Sequence, residues 1–136
     1  PTLDIEFLEA DRAEIGILTV TTRTDISDTS SIFSKRFTTS GSPIQVVLYK
    51  SDEYRSFEAN IQVSAGSSFQ SSKMHGLNDD ASTPNVLFNE TSYLSNGGEL
   101  AEFDMTGTGG KDVVFTATPY TVGVTTYIIY VTAIRV

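Results

Sequence analysis

The sequence predicts an all-β fold, an antiparallel β-sandwich of immunoglobulin-like or jelly-roll winding with roughly seven to nine short strands. Apolar and polar residues alternate with period two over several segments, which gives a pleated strand one oily face and one wet face. Clusters of Gly, Pro, Ser, Asn and Asp separate those segments at short intervals. With 136 residues and no cysteine, the chain is long enough to bury a core without disulfides, and residues 1–136 read as a single sandwich domain.

From the N-terminus, Leu3-Asp4-Ile5-Glu6-Phe7 alternates strictly. Leu3, Ile5 and Phe7 share one strand face, whereas on a helix begun at Thr2 Ile5 would point away from the other two. Ile15 to Thr22 and Ile44 to Tyr49 are rich in β-branched and aromatic residues. Phe57 to Val63 alternates over seven residues. Val86 to Phe88, Phe103 to Met105, Val113 to Thr118 and Tyr120 to Ile134 follow as further strand segments. Ser40-Gly41-Ser42-Pro43 marks a turn, Ser51-Asp52-Glu53 reads as a hairpin connection, and the glycines at 97, 98, 107, 109 and 110 supply turn conformations. Ser64 to Pro84 is poor in apolar residues and reads as a long loop, a segment type that is often functional.

Charge excludes some partners. Nine Lys and Arg against seventeen Asp and Glu give a net charge of −8, and the longest basic run is the pair Lys35-Arg36. A nucleic-acid binder needs a positive stripe that displaces counterions from phosphates, so no nucleic-acid partner is expected. No apolar stretch approaches the ~18 residues of a membrane span, and no basic segment leads into an apolar run at the N-terminus. Neither membrane insertion nor a signal peptide is expected. The abundance of Ser and Thr over Lys and Glu suits a surface-exposed or extracellular β protein.

Motifs for chemistry are sparse. His75 is the sole histidine, and no Gly-x-Ser-x-Gly elbow singles out a serine for it to activate. Without cysteine there is no thiol chemistry and no Cys-based metal site. The acidic groups Asn78-Asp79-Asp80, Asp25 with Asp28, and Asp52 with Glu53 are candidate oxygen donors for Ca²⁺. None has EF-hand spacing, and acidic loop residues commonly serve only to hydrate a turn. No cofactor is expected. The chain has no tryptophan, and Tyr49, Tyr54 and Tyr93, near predicted turns, are the candidate platforms for stacking a sugar, although core or rim packing is the commoner role of such tyrosines. Asn89-Glu90-Thr91 fits the glycosylation sequon. The glycines at 107, 109 and 110 lack the Lys-Ser ending of a phosphate loop and read as turn residues.

The last strand differs from the rest. Thr126 to Ile134 is apolar on both faces, as in a central covered strand or one whose outer face meets another subunit. The outward set is either Tyr127, Ile129, Val131 and Ala133 or Ile128, Tyr130, Thr132 and Ile134. An assembly interface is therefore expected to draw on Tyr127, Ile128, Ile129 and Tyr130. Leu3, Ile5 and Phe7 are expected to join it, since a terminal alternating strand can complete a neighbour's sheet. These features favour a non-enzymatic structural or adhesion domain that self-associates or binds another protein. The alternative is a carbohydrate-binding module or lectin, with or without the help of calcium.

Overall fold

A computed structural model describes residues 22–136, which form nine antiparallel strands and no helix. They are β1 (Thr24–Ile26), β2 (Ser30–Ser40), β3 (Ile44–Lys50), β4 (Tyr54–Ala65), β5 (Ser68–Asn78), β6 (Val86–Ser95), β7 (Ala101–Thr108), β8 (Asp112–Pro119) and β9 (Val124–Arg135). Six strands make one sheet in the order β1-β2-β9-β4-β5-β6, and three make the other in the order β3-β8-β7. The fold class is the expected β-sandwich.

The winding is nested. The chain crosses between sheets from β2 to β3 and again from β8 to β9, and the strands on either side of those crossings pair as β2 with β9 and β3 with β8. Jelly-roll winding shares that nesting, but here β4 does not pair with β7: β5 and β6 remain in the larger sheet beside β4, and β7 joins β8 in the smaller one. Alternation decides which residues fill the space between the sheets. Phe57, Ala59, Ile61 and Val63 of β4 and Tyr127, Ile129, Val131 and Ala133 of β9 meet Phe103 and Met105 of β7 and Val113, Phe115 and Ala117 of β8. Rings bridge the two layers: Phe103 lies edge-on to Tyr127, and Phe37 edge-on to Phe115. Aromatic pairs in this geometry add to the burial of their area.

Three expectations change, and one strand is added. Ser64 to Pro84 is not a long loop, because Ser68–Asn78 is strand β5, joined to β4 by the tight turn at Gly66. Its inward residues are Gln70, Ser72, Met74, Gly76 and Asn78, while Phe69 and Leu77 point outward. The oil-and-water alternation is thus inverted at both ends, which hides the strand from a hydrophobic pattern. Ser51–Glu53 is not a hairpin, since β3 and β4 belong to different sheets and the turn is a crossing between layers. Tyr120–Gly123 likewise forms the crossing into β9 and is no part of that strand. β2, which pairs with β9 over eleven residues, was not marked by the sequence pattern; Lys35 shares its inward face with Phe33 and Phe37.

Candidate functional site

β9 lies between β2 and β4, so its backbone is satisfied on both sides and offers no edge. Tyr127 and Ile129 are fully buried in the core. The outward set is therefore Ile128, Tyr130, Thr132 and Ile134, and of the four β9 residues expected at an interface only Ile128 and Tyr130 face outward. Neighbouring strands surround them with Arg36, Gln62, Ser34 and Asn60, so no continuous apolar strip forms there. Leu3, Ile5 and Phe7 lie outside the described residues, as does nearly all of the predicted strand from Ile15 to Thr22.

Among the described residues the unguarded strand is β6. It closes one end of the larger sheet, pairs there only with β5, and is exposed along almost its whole length. The six-stranded sheet is wider than its three-stranded partner, so β6 overhangs with both faces wet. Leu87 and Leu94 stand on the outer face at 70% and 72% exposure, and Phe88 and Tyr93 on the inner face at 38% and 46%. Glu90 is the only charge among its ten residues. Ser92, at φ 58°, sits where the ladder with β5 shifts register, a bulge that bends the far end of the strand. Sequence reasoning found only Val86 to Phe88 here, because Asn89-Glu90-Thr91-Ser92 interrupts the apolar pattern. Asn89 of the sequon is exposed on the outer face.

The outer face of the larger sheet gathers polar side chains in cross-strand rows. Ladder partners place Ser34, Tyr130, Asn60, Lys73 and Thr91 side by side across β2, β9, β4, β5 and β6. The next row holds Ile32, Thr132, Glu58, His75 and Asn89. Glu58, Asn60, Lys73, His75, Thr91, Tyr130 and Thr132 line a shallow depression of about 250 Å³. His75, expected on a loop, thus stands exposed on a strand between Glu58 and Asn89, with no serine among the residues lining the depression.

Three of the acidic loop residues, Asp79, Asp80 and Asp25, are occupied by the protein itself. Asp79 accepts from the side chain of Asn85 at 2.6 Å and from the backbone N–H groups of Asn85 and Ala81 at 3.0 and 3.1 Å. Those bonds hold its carboxyl below the usual carboxylate range. Asp80 is lowered in the same way by Lys111, whose ammonium lies 2.8 Å away. Asp25 accepts from the Ser31 hydroxyl at 2.5 Å and stands beside Arg23 and Arg135, and it too is depressed. Among the described residues no group of three His, Asp or Glu side chains converges as a metal site would require. Tyr49 and Tyr54 are core residues packed edge to face, which removes them as sugar platforms; Tyr93 remains exposed. No helix among the described residues is long and apolar enough to cross a membrane.

No protein-family model matches the chain, and no curated protein matches it by sequence. Among solved structures it is similar to the tailspike protein of Acinetobacter phage vB_ApiP_P1, at 15% identity and a TM-score of 0.44. That match covers 93% of this chain and 26% of the tailspike chain, so the chain spans about a quarter of that protein's length.

Proposed function

We propose that this is a non-catalytic structural domain, exposed on the surface of a cell or particle, that associates with copies of itself through strand β6. The observation that carries the reading is the edge itself: ten residues long, open on one side among the described residues, with exposed apolar side chains on both faces and a single charge. Exposed edges of this kind are templates for pairing with another chain, and proteins that remain monomeric usually blunt them with lysine, proline or brevity. Among the described residues the other edge strands are shorter or charged: β1 has three residues, β7 carries Glu102 and Asp104 on its outer face, and β3 has seven residues and ends on Lys50. β6 has only the bulge at Ser92.

Charge also favours this edge. Copies of a chain with net charge −8 repel one another, and a nearly neutral strand is where they can approach. Fully burying a Leu- or Phe-sized side chain contributes about 1.5–3 kcal/mol. Partial burial of the four apolar side chains from each copy is then comparable with the roughly 4–15 kcal/mol cost of association.

Light scattering on size-exclusion fractions over a concentration series tests the reading. The wild type is expected to show a mass above that of one chain that falls on dilution. Leu87→Lys with Leu94→Lys is expected to be monomeric with an unchanged circular dichroism spectrum. A wild type that stays monomeric up to millimolar concentration overturns self-association.

A further inference from the structure

The outer face of the larger sheet carries a second feature, which does not depend on association at β6. We infer that the depression lined by Tyr130, Asn60, Glu58, Lys73 and His75 is a binding site for an uncharged oligosaccharide lying across the strands.

The chemistry of the face narrows the ligand. Under the depression β9, β4 and β5 are each paired on both sides, so their backbone groups are taken and a peptide cannot add to them as an extra strand; the open edge of β6 lies at the rim, beyond Thr91. Over these three strands recognition must come from side chains alone. Those present offer an amide that both donates and accepts (Asn60), a carboxylate (Glu58), an ammonium (Lys73), an imidazole (His75) and hydroxyls (Thr91, Thr132, Tyr130). Among the described residues, the side-chain hydrogen bond on this face is the one between Thr38 and Thr126, outside the depression. The groups lining it keep their donors and acceptors turned to solvent, whereas the polar residues at the ends of the sandwich are occupied by one another.

Charge complementarity excludes the polyelectrolytes. Among the described residues, outward positions of the larger sheet carry Arg36, Glu58 and Lys73 as their only charged residues, so this face is close to neutral. That is too little positive charge for a polyanion such as nucleic acid, and the same residues form no acidic cluster to hold a polycation. What remains is a neutral ligand dense in hydroxyls.

Tyr130 supplies the apolar counterpart. It is 46% exposed in mid-strand, where its ring and hydroxyl stand together. Tyr130 and Lys73 are two strand spacings apart, about 10 Å, a span suited to two linked sugar rings. One ring would rest on Tyr130, while the hydroxyls of the other meet Asn60, Lys73 and Glu58.

His75 makes the test specific, because a single histidine gives one set of imidazole signals by NMR. The full chain would be titrated separately with maltohexaose, cellohexaose, mannohexaose and chitohexaose, to about ten times a millimolar Kd. The expected result is a saturable shift of the His75 signals with at least one of these sugars. Tyr130→Ala should weaken that binding about tenfold or more, Asn60→Ala should also weaken it, and Tyr130→Phe should keep most of the affinity. Unchanged melting temperatures show that the variants remain folded. The inference is overturned if none of the four sugars moves the His75 signals, or if a sugar that does so binds Tyr130→Ala as tightly as the wild type. Because the Leu87→Lys, Leu94→Lys protein leaves these residues intact, it should bind equally well, which separates this site from the assembly edge.

Discussion

Tyr49 of the smaller sheet donates its phenolic hydrogen to the side-chain oxygen of Asn78, at 2.6 Å, across the end of the core. Both residues are buried, and Asn78 in turn donates to the backbone carbonyl of Tyr54 at 3.1 Å. A polar side chain is thereby tolerated at the inward end of β5, and the bond joins the two sheets at this end as Gln70 and Ala101 join them at the other. Burial pushes the Tyr49 phenol well above its ordinary pKa, so the hydroxyl stays protonated and remains a donor.

Tyr49→Phe should therefore destabilise the fold by about 1–3 kcal/mol, because the Asn78 oxygen loses its partner in a place water does not reach. Urea unfolding would show a lower midpoint with an unchanged slope. A loss below about 0.5 kcal/mol would mean that the Asn78 oxygen finds another partner.

Two glycines have different neighbours and should respond to different remedies. A Cβ at Gly76 would lie 2.2 Å from the Phe57 ring, and one at Gly107 would lie 1.9 Å from the carbonyl oxygen of Pro84. Alanine at either position should cost on the order of 1–3 kcal/mol or more. Adding Phe57→Leu should recover part of the loss in Gly76→Ala, since the obstacle is a side chain. The obstacle at Gly107 is backbone, so the same second change should recover nothing there. A double-mutant cycle measures the difference.

Adjacent residues on β9 should behave oppositely. Ile129 is fully buried, and Ile129→Lys places an unpaired charge between the sheets; it should prevent folding. Ile128 faces outward, and Ile128→Lys should leave the circular dichroism spectrum intact, at a cost within about 1 kcal/mol. Folding of both variants would contradict the register of β9.

Acid should weaken the fold through Asp25, Asp79 and Asp80, whose carboxyls are held below the ordinary range. A depressed carboxyl contributes stability above its unfolded pKa of about 3.9, and that contribution is lost as pH falls through the lower folded value. In that window the unfolded chain binds more protons, so stability rises with pH. Asp79→Asn removes one of these groups and should flatten the acid limb of a plot of urea midpoint against pH. An unaltered limb would show that Asp79 titrates alike in both states.

The all-β class was legible in the sequence because strong alternation, as in Phe57 to Val63, forces strand geometry whatever surrounds it. The core residues of β4 and β7 were legible for the same reason, whereas Val113, Val114 and Phe115 of β8 are buried in succession. β5 was not legible, since Gln70 and Asn78 are inward on account of hydrogen bonds to the backbone at Leu100 and Ala101 and to Tyr49, none of them adjacent in sequence. Nor could the pattern of β9 choose between its two apolar faces, because Tyr127 and Tyr130 satisfy the same local rules. Pairing with β2 and β4, and the position of the smaller sheet over one side, made Tyr127 core and left Tyr130 in the open. The exposed edge was hidden likewise, because β6 overhangs only where six strands meet three, a width set by which strands pair and not by what any one of them contains. Local alternation determines that a segment is a strand; long-range pairing decides which strands end a sheet, and so which residues remain available to a partner.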